Sequence, residues 1–162
     1  MAVMTERRTA RPPYEAYAAI VGVYVGGLGV AGIAARVLGR NPACQTPLDF
    51  AVLSAASFKA ARTLAHDEVT SFLRDPFVQG DAHEGDEDPL ESGDFRQAIG
   101  ELVTCSRCGG TWAAAALATS QILAPRFGRL LTWSLAAAGV NDWLQAGFAA
   151  LTEKADEIES AA

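Results

Sequence analysis

Ala16–Ala35 reads AYAAIVGVYVGGLGVAGIAA, a run without one charged side chain. At 1.5 Å per residue, a helix of about twenty residues covers the ~30 Å hydrocarbon core of a bilayer. Five glycines would weaken such a helix in water, but glycine is common in membrane spans, where small residues let helices approach closely. Gly22 and Gly26 form a G-x-x-x-G step with Ala18 one turn earlier, a candidate helix-packing face. Pro12 and Pro13 precede the run, and Tyr14 and Tyr17 stand where interfacial aromatics lie. The run is longer than the apolar core of a signal peptide, and Arg36 follows without a clear cleavage site, which favours a span. Gly27, Gly29 and Gly32 also match the dinucleotide-binding spacing, with Asp49 downstream. That reading needs a strand ending near Asp49, and NPACQTPLD, with two prolines, does not supply one.

Two more windows, Cys108–Pro125 and Leu130–Leu151, are equally poor in charge. The three together hold a single charged residue, Asp142, in a chain with 13 Lys and Arg and 19 Asp and Glu. This is the pattern of membrane spans joined by polar loops. Arg126–Arg129 reads as a tight turn, so the last two windows form an antiparallel hairpin, with Trp112, Trp133 and Trp143 as candidate interfacial anchors. Phe50–Ala65, FAVLSAASFKAARTLA, is helical in period, and Lys59 and Arg62 share a face in its second half. It reads either as a short span or as an amphipathic helix lying on the bilayer.

The expected fold is therefore all-α, an integral membrane helical bundle of three or four spans ending in a helical hairpin, multi-pass in the cell membrane. Its segments are a polar tail (1–15), the first span plus the second helix (16–73), an acidic, partly disordered loop (74–107), the hairpin (108–151) and a polar tail (152–162). The rival is a soluble all-α bundle, which an alanine-rich chain also permits. Net charge is −6, and residues 74–108 alone hold nine acids against Arg74, Arg96 and Arg107. An acidic balance excludes a nucleic-acid partner, leaving the lipid bilayer and a second copy of the chain as partners. With four spans, Arg7, Arg8, Arg11, the loop arginines and Lys154 share one side, against Arg36, Arg40, Arg126 and Arg129, which puts both termini inside.

Chemistry-bearing residues are few. Cys105 and Cys108 stand in TCSRCGGTW, a C-x-x-C spacing that suits a shared metal ion, zinc first, or a redox pair, as well as a plain turn at a helix start. A closed zinc site needs four ligands, and Cys44, His66 and His83 are the other candidates, none in paired spacing. Asp142, midway along the last window beside Asn141, needs a partner at that depth, and Lys59 or Arg62 is the natural choice. Gln121 reads as an interhelical hydrogen bond. No Ser-His-Asp set, P-loop or H-E-x-x-H occurs, so a non-enzymatic protein acting through helix packing or protein partners is expected. The alternative is a membrane-anchored thiol protein.

The stretch ASFKAARTLAHDEVTSFLRDPF, followed by ELVTCSRCGGTWAAAALA, resembles the bacterial domain-of-unknown-function family 1360. The matching residues are Ser57, Phe58, Lys59 and Arg62, then Asp67, Arg74, Pro76 and Phe77, then Cys105, Cys108, Gly110 and Trp112. Lys59 stands where Arg is more usual, and Ser106-Arg107 where Pro-Trp is common. The resemblance, over about residues 49–150, implies a small membrane protein, with one family member associated with sporulation. It implies no particular activity.

Overall fold

The computed structural model describes residues 12–40 and 45–160. Among these the chain is predominantly helical, with six α-helices and one two-residue β-ribbon. It divides into two compact units, Met1–Val30 with Ala61–Gly109, and Ala31–Ala60 with Gly110–Ala162.

Helix α1 (Tyr14–Val37) contains the opening run whole. It ends where Gly39 adopts a positive φ of 64°, letting the Arg40 N–H reach Ala35 O at 2.8 Å and the Gly39 N–H reach Arg36 O at 3.2 Å. Those two bonds satisfy the last carbonyls as in a Schellman cap. Helix α2 (Pro47–His66) starts with proline in its first position and a reciprocal cap. The Asp49 N–H donates to Thr46 Oγ1 at 3.2 Å, while Thr46 N–H donates back to Asp49 Oδ2 at 3.0 Å.

Between α2 and the next long helix lies the acidic stretch expected to be a partly disordered loop. From Glu68 to Thr104 the chain carries α3 (Ser71–Arg74) between two 3-10 turns, strands β1 (Val78–Gln79) and β2 (Asp88–Pro89), and α4 (Phe95–Thr104). The strands pair antiparallel, Val78 opposite Pro89. Arg74 explains the order. Its guanidinium is fully buried and donates to Leu64 O, Asp67 O and Thr70 Oγ1 at 2.7, 3.1 and 2.9 Å. Nε and Nη2 both grip Glu87 Oε2, at 2.9 and 2.6 Å. One acid of the run thus neutralises a buried cation rather than facing water.

Helices α5 (Ser106–Leu123) and α6 (Pro125–Ser160) form the hairpin, but its corner is tighter than the expected turn at Arg126–Arg129. Pro125 opens α6 directly, because a first-turn N–H needs no intrahelical partner. Gly128 then passes so close to α5 that a Cβ there would overlap the backbone of Ser120 and Gln121. Thr132, fully buried, accepts from Gln121 Nε2 at 3.0 Å and donates to Gly128 O at 2.7 Å. The helix also continues past Leu151 into the stretch expected to be a polar tail, giving 36 residues and a length of ~54 Å. Packed around Ala56, Leu117 and Ala136 is a small-residue core joining α2, α5 and α6, flanked by Val52, Leu53 and Leu135.

Among the described residues one helix, α1, is long and apolar enough to cross a bilayer. Its mean hydropathy is 2.0 and only 6% of its apolar window is covered. The expectation of three or four such helices is not matched on that measure. Lys59 and Arg62 lower α2, and Asn141, Asp142 and Gln145 lower α6, while α5 draws on Ala, Gly, Ser and Thr, which are only weakly apolar.

Candidate functional site

The cysteine turn is built by the junction of two helices. Helix α4 runs to Thr104, Cys105 leaves it in extended conformation (φ −93°, ψ 100°), and α5 begins at Ser106. Cys105 is therefore the N-cap of α5, and its carbonyl accepts the first intrahelical bond, from Gly109 N–H at 2.9 Å. Its side chain fills the cap as well, with Sγ accepting the Cys108 N–H at 3.3 Å. Serine or aspartate usually performs this task; here a sulfur does. The Cys108 thiol, then the Cys108 N–H, hold the Cys105 thiol below the ordinary cysteine range, outweighing the opposing effect of its partial burial, and Arg107 adds to the lowering. Both thiols are free, Cys105 half-buried and Cys108 exposed. Among the described residues no group of three or more His, Cys, Asp or Glu converges, and Cys44 lies outside them.

One turn back on α4, Glu101 gathers a polar network. Tyr17 Oη donates to Glu101 Oε2 in a short hydrogen bond, and Gln97 Nε2 donates to Oε1 at 2.9 Å. Gln97 Oε1 in turn accepts the Gly93 N–H at 2.9 Å. This network ties the first turn of α1 to α4, the helix that presents Cys105.

The second cluster lies where α2 crosses α6. Lys59 Nζ is 2.9 Å from Asp142 Oδ2, with 19% and 36% of the two side chains exposed. Gly139 permits the crossing, since a Cβ there would stand 3.1 Å from Ala55 O and 3.2 Å from Lys59 Cβ. Phe58 and Trp143 flank the pair, with their ring centres 5.5 Å apart. Arg62 is exposed. Gly22 and Gly26 are open: a Cβ on either would meet nothing within 4 Å among the described residues.

The cysteine turn and the crossing of α2 with α6 fall within one family. The sequence profile described as "Protein of unknown function (DUF1360)" matches residues 52–148, from the crossing of α2 with α6 through the cysteine turn to the far end of the hairpin. The chain belongs to this family. Two relatives from Bacillus subtilis (strain 168) agree: a protein named sporulation protein YjcA is 33% identical over 113 residues, 60% of this chain and 95% of its own length. UPF0713 protein YngL is 27% identical over 119 residues, 70% of this chain and 88% of its own. No solved structure matches the chain.

Sequence reasoning passed over two groups that the structure assembles. Glu87 reads as one more solvated acid, and only the Arg-x-Pro-Phe stretch at Arg74 hints that something buried must answer it. Tyr17 and Glu101 are 84 positions apart and carry no sequence signal at all.

Proposed function

We propose that this chain is a multi-pass integral membrane protein with three or four spans, non-enzymatic, working through helix packing with partner helices or a second copy of itself. The observation that supports this best is the outward face of its helices. Val21, Val23, Val25, Val30 and Ile33 on α1 are each at least 60% exposed, and Leu144, Phe148 and Leu151 on α6 are as open. Water disfavours an apolar surface of that extent, whereas lipid covers it without loss. The Lys59–Asp142 pair fits the same reading, because a cation and an anion at bilayer depth need each other. The Gly22–Gly26 face of α1 is the surface offered to another helix.

The test is extraction and topology. Alkaline carbonate should leave the protein in the membrane pellet, and thiol reagents applied to each side of sealed vesicles should label Cys44 and Cys105 from opposite sides. Release without detergent would overturn the reading. Same-side labelling would place α2 on the membrane surface and reduce the count to three.

A second reading treats the chain as a membrane-anchored thiol protein using Cys105 and Cys108 for zinc or for disulfide exchange. The sulfur-capped start of α5 favours it, since a plain structural turn has no need of a second cysteine one helical turn away. Metal content of the purified protein, compared with that of Cys105→Ser and Cys108→Ser, separates the two chemistries.

A further inference from the structure

We propose that Cys105 and Cys108 form a dithiol that exchanges with disulfides, Cys105 attacking and Cys108 resolving, and that its substrate class is an accessible organic or protein disulfide. This rests on the thiol reading of the same turn and decides between its two chemistries. The positions at issue are the N-cap and the third residue of an 18-residue helix, which lie on one side of its first turn. The contact between Cys105 Sγ and the Cys108 N–H puts the first sulfur over the residue that carries the second. The same N–H stabilises a thiolate at Cys105, as does the positive end of the helix. Arg107, between the two cysteines, adds a cation whose charge favours the Cys105 thiolate.

Access agrees with an exchange role, because Cys108 is exposed and Cys105 only half covered. A closed zinc site is less well served. Two sulfurs supply half of a tetrahedral shell, and no third ligand joins them among the described residues. After Cys108 the chain also runs straight on as helix, with Gly109 and Gly110 inside α5, rather than folding back around the sulfurs.

The exchange balances without a further reagent. The Cys105 thiolate attacks one sulfur of a disulfide R–S–S–R; the new S–S bond forms as the old one breaks, and R–S⁻ leaves to take a proton from water. Cys108 then loses its proton to water and attacks Cys105 Sγ, expelling the second R–S⁻. Two electrons pass to the substrate, which ends as two thiols, while the turn ends as a Cys105–Cys108 disulfide. Run backwards, the same steps oxidise a substrate dithiol.

The experiment uses the full chain, reduced and in detergent, equilibrated with glutathione and glutathione disulfide. In the wild-type protein the peptide carrying Cys105 and Cys108 should lose both thiols with a mass change of two hydrogens and no adduct. Cys108→Ser should trap one glutathione on Cys105, and Cys105→Ser should acquire glutathione roughly tenfold more slowly. Serine also caps helices, and circular dichroism of each variant checks that α5 survives. Thiols that stay reduced, stable adducts on both cysteines, or equal rates in the two variants would overturn the exchange chemistry. If added zinc binds stoichiometrically and shields both sulfurs from glutathione disulfide, the thiol reading stands and the exchange falls. Indifference to both reagents removes the thiol reading as well.

Discussion

The two units of this protein are held together by different physics. In the unit of residues 12–30 and 61–109 the organising contacts are directional: a buried guanidinium with five donations, a carboxylate shared between tyrosine and glutamine, and side-chain caps at the starts of α4 and α5. In residues 31–60 and 110–160 they are steric, with Ala56, Ala136, Gly128 and Gly139 letting three helices close on one another, and a single ion pair is recorded at the crossing of α2 and α6. Directional contacts organise a stretch too polar to bury a core. Close helix approach suits helices whose outer faces are apolar and so gain nothing further from hydrophobic burial when lipid surrounds them. The difference makes the units sensitive to opposite kinds of substitution.

The largest effect is expected from Arg74→Ala. It leaves Glu87, whose side chain is 11% exposed, without its cation, and strips partners from Leu64 O, Asp67 O and the Thr70 hydroxyl. Loss of one member of a buried pair costs about 3–5 kcal/mol. Arg74→Lys should recover little of that, since an ammonium cannot reproduce the fork on Glu87. Limited proteolysis between β1 and β2 and the denaturation midpoint report the outcome. Resistance equal to wild type would mean that the first unit does not depend on its directional contacts.

Gly128→Val is the matching challenge to the second unit. The added side chain enters the backbone of α5 at Ser120, and overpacking of this kind costs roughly 1–3 kcal/mol. At Gly22, by contrast, an added Cβ meets nothing within 4 Å among the described residues, so Gly22→Val should hold stability within about 0.5 kcal/mol while self-association in membranes weakens. Stability falling equally in both variants would show that α1 packs inside the chain after all.

Lys59→Met is a smaller change, about 1 kcal/mol in lipid, and Lys59→Met with Asp142→Leu should restore most of it. The more telling readout is salt. A pair at bilayer depth is not screened, so the loss should be the same at low and high ionic strength, whereas a pair in water would lose its contribution as salt rises.

The sequence made the two units legible to different degrees. Long apolar windows and their bounding prolines are local properties, so α1, α2 and the α5–α6 hairpin can be read directly from Ala16–Ala35, Phe50–Ala65 and the run after Cys108. The need of Asp142 for a partner is also readable, because a carboxylate in an apolar run cannot stand alone. Which cation answers it depends on how α2 crosses α6, and Gly139 fixes that only in three dimensions. In the acidic stretch, composition carries less. Nine acids read as a solvated loop, yet order there depends on one arginine whose partners come from α2, the turn after it and Glu87. Charge counting averages over such a contact, and no periodicity marks it.

The smallest effect concerns the start of α4, where the directional style of the first unit can be titrated. Asp94 caps the helix by accepting the Arg96 N–H at 2.8 Å and is itself held by Ser92 Oγ. The Ser92 hydroxyl first, then the Arg96 N–H, keep its carboxyl below the ordinary aspartate range. Because the folded value lies below the unfolded one, the charged cap stabilises α4 at every pH above that of a free aspartate. The contribution is lost only as pH falls below about 4, through the folded value. Slowed hydrogen exchange at the Arg96 amide should therefore be flat from neutral pH down to that point and then relax. Asp94→Asn keeps an oxygen at the cap but has no proton to take up, so its exchange should show no such step. A step in the variant would assign the acid sensitivity of α4 to some other carboxylate.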